Sequence, residues 1–226
     1  MPMKGSGPAA MREVDRYDDG FGWIAYPDED MERTSHAAVG EDGGVWLIDP
    51  VDADGLDEKV AELGDVAGVV ILLDRHKRDA EAIARRHEVP VYIPEWMDGV
   101  ANKLDAPVER VRTDLGESGY GMYKLIDNAL WQEAVLFSED NGTLIVPEAV
   151  GTAGHFVTDD ERLGVHPALR LKPPKRLGRF DPERILTGHG EGIHEDAEAA
   201  LSDALSGARK RTPRLYAKTA REMLFG

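Results

Sequence analysis

Residues 67–73, AGVVILL, form a continuous apolar run that stops at a crowded polar turn, Asp74-Arg75-His76-Lys77-Arg78-Asp79. An apolar run this short reads as a strand covered on both faces. After the turn, Ala80, Ile83, Ala84 and His87 fall on one stripe at helical spacing, which predicts a helix over 78–87. VPVYIP (89–94) reads as the next strand, and Leu56, Val60 and Leu63 predict a helix before the apolar run. Residues 35–48 carry two short apolar runs around EDGG, a hairpin signal. The second run ends at Asp49-Pro50, where proline stops a central strand. Strand, helix, strand, helix, strand over 45–94 demands a layered α/β core. Strand ends in such cores are favoured places for an active site.

The second half changes character. VERVR, GYGMYKLI, EAVLFS and GTLIVP are short strand candidates, with EDNG (139–142) as a hairpin turn between the last two. Residues 147–182 are rich in Gly and Pro and read as a long loop with a short helix near 158–163. ERILTGHGEGI reads as a strand ending in a glycine-flanked histidine, and 194–224 as two helices broken near Pro213. Residues 1–16 read as a disordered lead and 17–226 as a single domain.

Composition removes several chemistries. With no cysteine there is no disulfide, thiolate metal site or cysteine nucleophile. The 43 acidic and 27 basic side chains give a net charge of −16. That field disfavours nucleic acid and anionic membranes as partners. The acids are dispersed along the chain, a pattern that suggests a halophilic archaeal source, and the N-terminus lacks the apolar core of a signal peptide. No apolar run is long enough to span a membrane, so the expectation is a cytoplasmic protein. GESGYG does not open a helix after a strand, so a dinucleotide site is not supported. No Gly-x-Ser-x-Gly elbow occurs.

Four landmarks in order, GGVWLIDPVD, VVILLDRHKRDA, NGTLIVPEAV and ILTGHGEGI, resemble the metallo-β-lactamase superfamily over about residues 20 to 208. The resemblance implies an αββα sandwich of four layers, an α/β (α+β) fold. It also implies a metal centre built on His-x-His-x-Asp-His, at which zinc, iron or manganese activates hydrolysis. The motif is degenerate here. Aligned on Asp79, its histidine positions fall on Arg75, Lys77 and Ala80, and no histidine occurs near 126–131. Asp79, Glu148 and His189 then remain as metal ligands. Aligned one residue earlier, Asp74 and His76 form the first ligand pair. Both registers stay open.

Two functions follow. In the preferred one the pocket is metal-free and has no cofactor. Arg75, Lys77, Arg78 and His76, with His189, then line it and bind a small anionic ligand or a partner. In the alternative, one Zn, Mn or Fe ion on Asp79, Glu148 and His189 serves an atypical hydrolase of a small ester, thioester or phosphate. In that reading Asp49 or His155 handles protons as a catalytic residue. His36, His87 and His166 are expected to be scaffold, and His194 to sit exposed near a helix N-terminus. A homo-oligomer is compatible with the long 147–182 loop and the C-terminal helices.

Overall fold

The structure, a computed structural model, describes residues 2–7 and 9–225. One seven-stranded sheet follows chain order: β1 (Arg12–Tyr17), β2 (Gly20–Ile24), β3 (Thr34–Val39), β4 (Val45–Ile48), β5 (Val66–Val70), β6 (Val91–Pro94) and β7 (Val108–Val111). Its β1–β4 pairings are antiparallel and its β4–β7 pairings parallel. A four-stranded sheet is ordered β13-β10-β9-β8, from β8 (Gly121–Asn128), β9 (Trp131–Ser138), β10 (Thr143–Val146) and β13 (Arg184–Thr187). In it β10 and β13 run parallel. A small antiparallel pair joins β11 (Val150–Gly151) to β12 (Gly164–Val165). The helices are α1 (Leu56–Ala61), α2 (Ala80–Arg86), α3 (Asp98–Ala101) and α4 (Ala197–Phe225).

The apolar run on β4 explains the layering. Val45 and Leu47 point to a core shared with Leu56 and Val60 of α1 and Ile83 and Ala84 of α2. Trp46 and Ile48 point to a core between the sheets, against Met122, Leu136, Ile145 and Leu186. On β10 the alternation repeats, with Leu144 and Val146 facing Leu201, Ala204 and Ala208 of α4. Three cores stacked this way make the four-layer αββα sandwich, and both sheets are covered on both faces. The continuous apolar runs are the sequence signature of that double cover.

Three expectations are corrected. Residues 12–16 of the expected lead belong to the edge strand β1, Ala9 is buried in the outer core, and Gly5 N donates to Glu29 Oε2 at 2.8 Å. Residues 1 and 8 lie outside the described residues. An edge strand with one buried side chain, Val14, leaves too little alternation to read. Residues 158–163 form no helix: Glu161 is drawn inward by Arg170 at 2.7 Å and spends its carboxylate on Thr158 instead of opening a helix. The tail is one 29-residue helix with Pro213 inside it. Its face of Ala197, Leu201, Ala204, Ala208 and Leu215 stays buried across the proline. That packing outweighs a lost backbone hydrogen bond and ring clash worth ~3 kcal/mol.

Candidate metal centre

Four strand ends converge: Asp49 follows β4, the 74–79 turn follows β5, Glu148 follows β10 and His189 follows β13. The β10 and β13 ends meet closely because Gly188 N donates to Val146 O at 3.0 Å and a Cβ at Gly188 would collide with the Pro147 carbonyl. Among the described residues, one group of three possible metal ligands has its atoms within 4.8 Å of one another: His76, Glu148 and His189.

The two imidazoles are held in definite tautomers. Asp49 Oδ2 accepts from His76 Nδ1 at 2.9 Å, and the Met31 carbonyl accepts from His189 Nδ1 at 2.8 Å. Each Nδ1 therefore carries a proton, and each Nε2 presents a lone pair when its ring is neutral. His76 Nε2 lies 3.2 Å and His189 Nε2 3.7 Å from Glu148 Oε2. His189 Nε2 is buried with no hydrogen-bond partner. Two imidazole lone pairs and a carboxylate on one point, each imidazole fixed from behind by an acceptor, is a donor set that suits a first-row divalent ion. The residues present fit the metal that the resemblance implies.

Burial opposes ionisation of Glu148, but hydrogen bonds donated by His189 and His76, and the positive charge those rings carry when protonated, outweigh it and hold its carboxyl far below the usual range. Burial pushes His189 down, against the pull of Glu148. His155, whose ring centroid is 5.8 Å from that of His189, is lowered to about 4 by burial first and His189 second.

The expected residues divide. Of the two registers, the one that begins at Asp74 brings His76 to the centre. Asp74 itself stays at the rim, with Oδ2 accepting from Gln132 N at 3.1 Å. Asp79 is not in the cluster: it accepts from Asp52 N at 2.9 Å and faces a separate cleft with Asp57 and Arg86. Lys77 points away, its Nζ donating to Lys103 O at 2.8 Å and pairing with Glu81 at 3.2 Å. Arg75 does reach the centre, 3.2 Å from Glu148 Oε1. Asp49 touches the site through His76.

Arg78 turns inward. Its Nε is sealed from solvent, although the residue as a whole is only half-buried. It donates to the carbonyls of Asp49 at 2.7 Å and Thr34 at 2.8 Å, and its Nη2 lies 3.4 Å from His76 Nε2. Burial lowers its pKa to about 10, so it stays charged. Counted from Asp74, Arg78 stands where the resembled motif has its Asp. Asp49 and Arg78 both adopt left-handed backbone, with φ of 45° and 41°. Non-glycine residues hold such angles only where surrounding contacts over-determine them.

His166, expected to be scaffold, reaches Glu148 instead, and Trp131 and Glu133 were not singled out by their sequence. His166 Nδ1 accepts from Ala168 N at 3.2 Å, so its proton sits on Nε2, 3.5 Å from Glu148 Oε1. It is a donor there and not a ligand. Trp131 lies under the Arg75 guanidinium, 4.2 Å from ring centroid to carbon, and meets His166 edge-on at 4.8 Å. Glu133 lies wholly buried behind them. The signal for Glu133 and Trp131 was an acid two residues after a tryptophan, leading into the apolar run AVLF of one strand. His36, with Nε2 on Thr187 O at 2.9 Å, is buried scaffold, and His87 and His194 pair with Asp57 and Asp15 away from the centre.

No protein-family model and no curated protein sequence matches this chain. Solved structures do. A metallo-β-lactamase from Pontibacter korlensis superposes with a TM-score of 0.63 at 13% identity, over 87% of this chain and 99% of that one. The DIM-1 metallo-β-lactamase gives 0.62 at 12%, over 91% and 99%. The rubredoxin oxygen:oxidoreductase of Desulfovibrio gigas gives 0.59 at 17%, over 80% of this chain and 53% of that one. No helix among the described residues is long and apolar enough to cross a membrane. The chain therefore has the metallo-β-lactamase fold, in a sequence far diverged from the structures it superposes on.

Proposed function

We propose that the protein is a mononuclear metal-dependent hydrolase, with His76, Glu148 and His189 as the ligands of one zinc, manganese or iron ion, acting on a small ester, thioester or phosphate. The observation that carries this reading is the buried, unpartnered Nε2 of His189 turned toward Glu148 beside the lone pair of His76. An orphaned buried acceptor costs about 1–3 kcal/mol unless something occupies it. When bound, the ion supplies Lewis-acid chemistry at a carbonyl or phosphoryl oxygen.

The chain's own residues do the rest. Asp49 and the Met31 carbonyl keep both imidazoles aimed. Arg78 supports a single ion, because its fixed charge stands at the motif's carboxylate position. Arg75, half-exposed at the mouth, offers its remaining N–H groups to an oxyanion. His155, with its ring 5.8 Å from that of His189, is the side chain assigned to take up a proton from the attacking group, as a weak base because burial lowers it to about 4.

A metal-free pocket that binds a small anionic ligand is the second reading. The observation that favours it is that two cations already touch the triad, Arg75 on Glu148 and Arg78 near His76. Elemental analysis separates the two. Protein purified without added metal, then incubated with zinc, manganese or iron and desalted, is expected to carry about one ion per chain, lost in His189→Ala. Protein that stays metal-free after all three incubations supports the second reading and sinks the first.

A further inference from the structure

Glu133 on β9 is wholly buried, and among the described residues no cationic side chain pairs with it. Burying such a group is costly unless its oxygens are satisfied. Three N–H donors do so. Oε1 accepts from the backbone of Glu148 at 3.0 Å and of Ala149 at 2.8 Å. Oε2 accepts from the indole of Trp131 at 2.7 Å. Both oxygens keep lone pairs for these donors whether or not the carboxyl is protonated.

Those three bonds close a loop around Glu148. Glu133 fixes its backbone directly. It also fixes Trp131, whose face carries Arg75 and whose edge meets His166. Arg75 and His166 in turn approach Glu148 Oε1, at 3.2 and 3.5 Å, which leaves Oε2 to His76 and His189. One buried side chain thus ties down the ligand from behind and the donors that orient it from in front.

We infer that Glu133 is a positioning residue of the metal centre: it sets the backbone of Glu148 and, through Trp131, the Arg75 and His166 donors that turn Glu148 Oε2 toward the two imidazoles. The inference rests on the metal reading above. Glutamine has the same shape but one acceptor oxygen. Placed to keep both backbone bonds, it turns its NH₂ against the indole N–H. Glu133→Gln therefore breaks the Trp131 arm and leaves the backbone arm. Trp131→Phe breaks the same arm from the other side, keeping an aromatic face for Arg75 and an unaltered Glu133.

The test is zinc affinity of the full-length chain, by competition with a chromogenic chelator, in wild type, Glu133→Gln and Trp131→Phe. The melting temperature of each metal-free protein is measured alongside. Loss of a group that orients a ligand typically costs 10–100-fold in metal affinity. That range is expected for Glu133→Gln, with a loss in the same direction for Trp131→Phe. The Trp131 indole N–H resonance, assigned by its absence in Trp131→Phe, is expected upfield in Glu133→Gln. A purely structural role predicts a lower melting temperature with zinc held as tightly as in wild type, and that result overturns the inference. If Glu133→Gln does not fold, Trp131→Phe decides by the same criterion. Wild type that takes up no zinc overturns the metal reading and this inference together; tight wild type with equally tight variants overturns only the role of Glu133.

Discussion

The carboxylate of Asp49 accepts the Nδ1 proton of His76 at 2.9 Å, and so decides which nitrogen of that ring faces Glu148. Its other oxygen, Oδ1, accepts from Leu72 N at 2.9 Å. Asp49 thus ties the end of β4 to the strand that leads into the 74–79 turn. Asparagine has one acceptor where Asp49 uses two, so Asp49→Asn sets a donor against a donor at one contact. The expected outcome is a loss of about 1–3 kcal/mol in urea unfolding and of roughly 10–100-fold in zinc affinity. Unchanged zinc affinity in a folded variant would remove Asp49 from the site.

Arg78 has opposite effects on fold and metal. Its guanidinium satisfies the Thr34 and Asp49 carbonyls, and Arg78→Met leaves both without that donor. A destabilisation of about 2–5 kcal/mol is expected. The same change removes a positive charge beside the His76 lone pair, so zinc affinity should rise, on the order of tenfold. Calorimetric melting and chelator competition on one variant read both signs. A fall in zinc affinity with the fold intact counts against the placement of Arg78 as a substitute charge.

Stability of the metal-free protein should fall on acidification. His155 and His166 are each lowered to about 4 by burial, and burial also lowers His36 and His189. Below the ordinary histidine value of 6.5 the unfolded chain binds protons that the folded chain refuses, so the folded state loses ground from about 6.5 toward about 4. Glu133 works the other way: burial raises its carboxyl from 4.5 to about 8, so its contribution is lost as pH rises through that window. Four imidazoles outweigh one carboxyl, and the melting temperature is expected to drop between pH 6.5 and 5. A flat or rising profile over that range contradicts the buried, neutral histidines.

The loop that carries His155 and His166 hangs on one buried ion pair. Arg170 and Glu161 both have fully buried side chains, 2.7 Å apart, and Arg170 also bonds the carbonyls of Phe156 and Val165. Glu161→Gln is expected to cost about 3–5 kcal/mol by leaving a buried guanidinium without its charge partner. Hydrogen exchange should speed up over residues 153–170 before the sheets respond. A loss spread evenly over the chain would mean the loop has no separate anchor.

Much of the frame was legible in the residues. The hairpin at 35–48, the strand that leads into the turn, the helix through Ile83 and Ala84, and the strand ends at Glu148 and His189 all follow from local pattern, because a double-covered sheet writes its burial into consecutive positions. Sequence by itself also pointed to the 74–79 turn as part of the candidate site. It did not determine which of those side chains face in. Side chains on a regular strand or helix point with a fixed period, but this turn has none, and Arg78 bends it with a left-handed backbone. Contacts distant in sequence choose instead: Asp49 draws His76 in, the Asp49 and Thr34 carbonyls draw Arg78 under it, and Lys103 and Glu81 draw Lys77 out. The same reason hid Glu133, whose three partners lie at 131, 148 and 149 and meet it only where β9 passes behind the end of β10. Tertiary structure alone decided which side chains make the candidate ligand set, because His76, Glu148 and His189 are brought together by segments far apart in the chain.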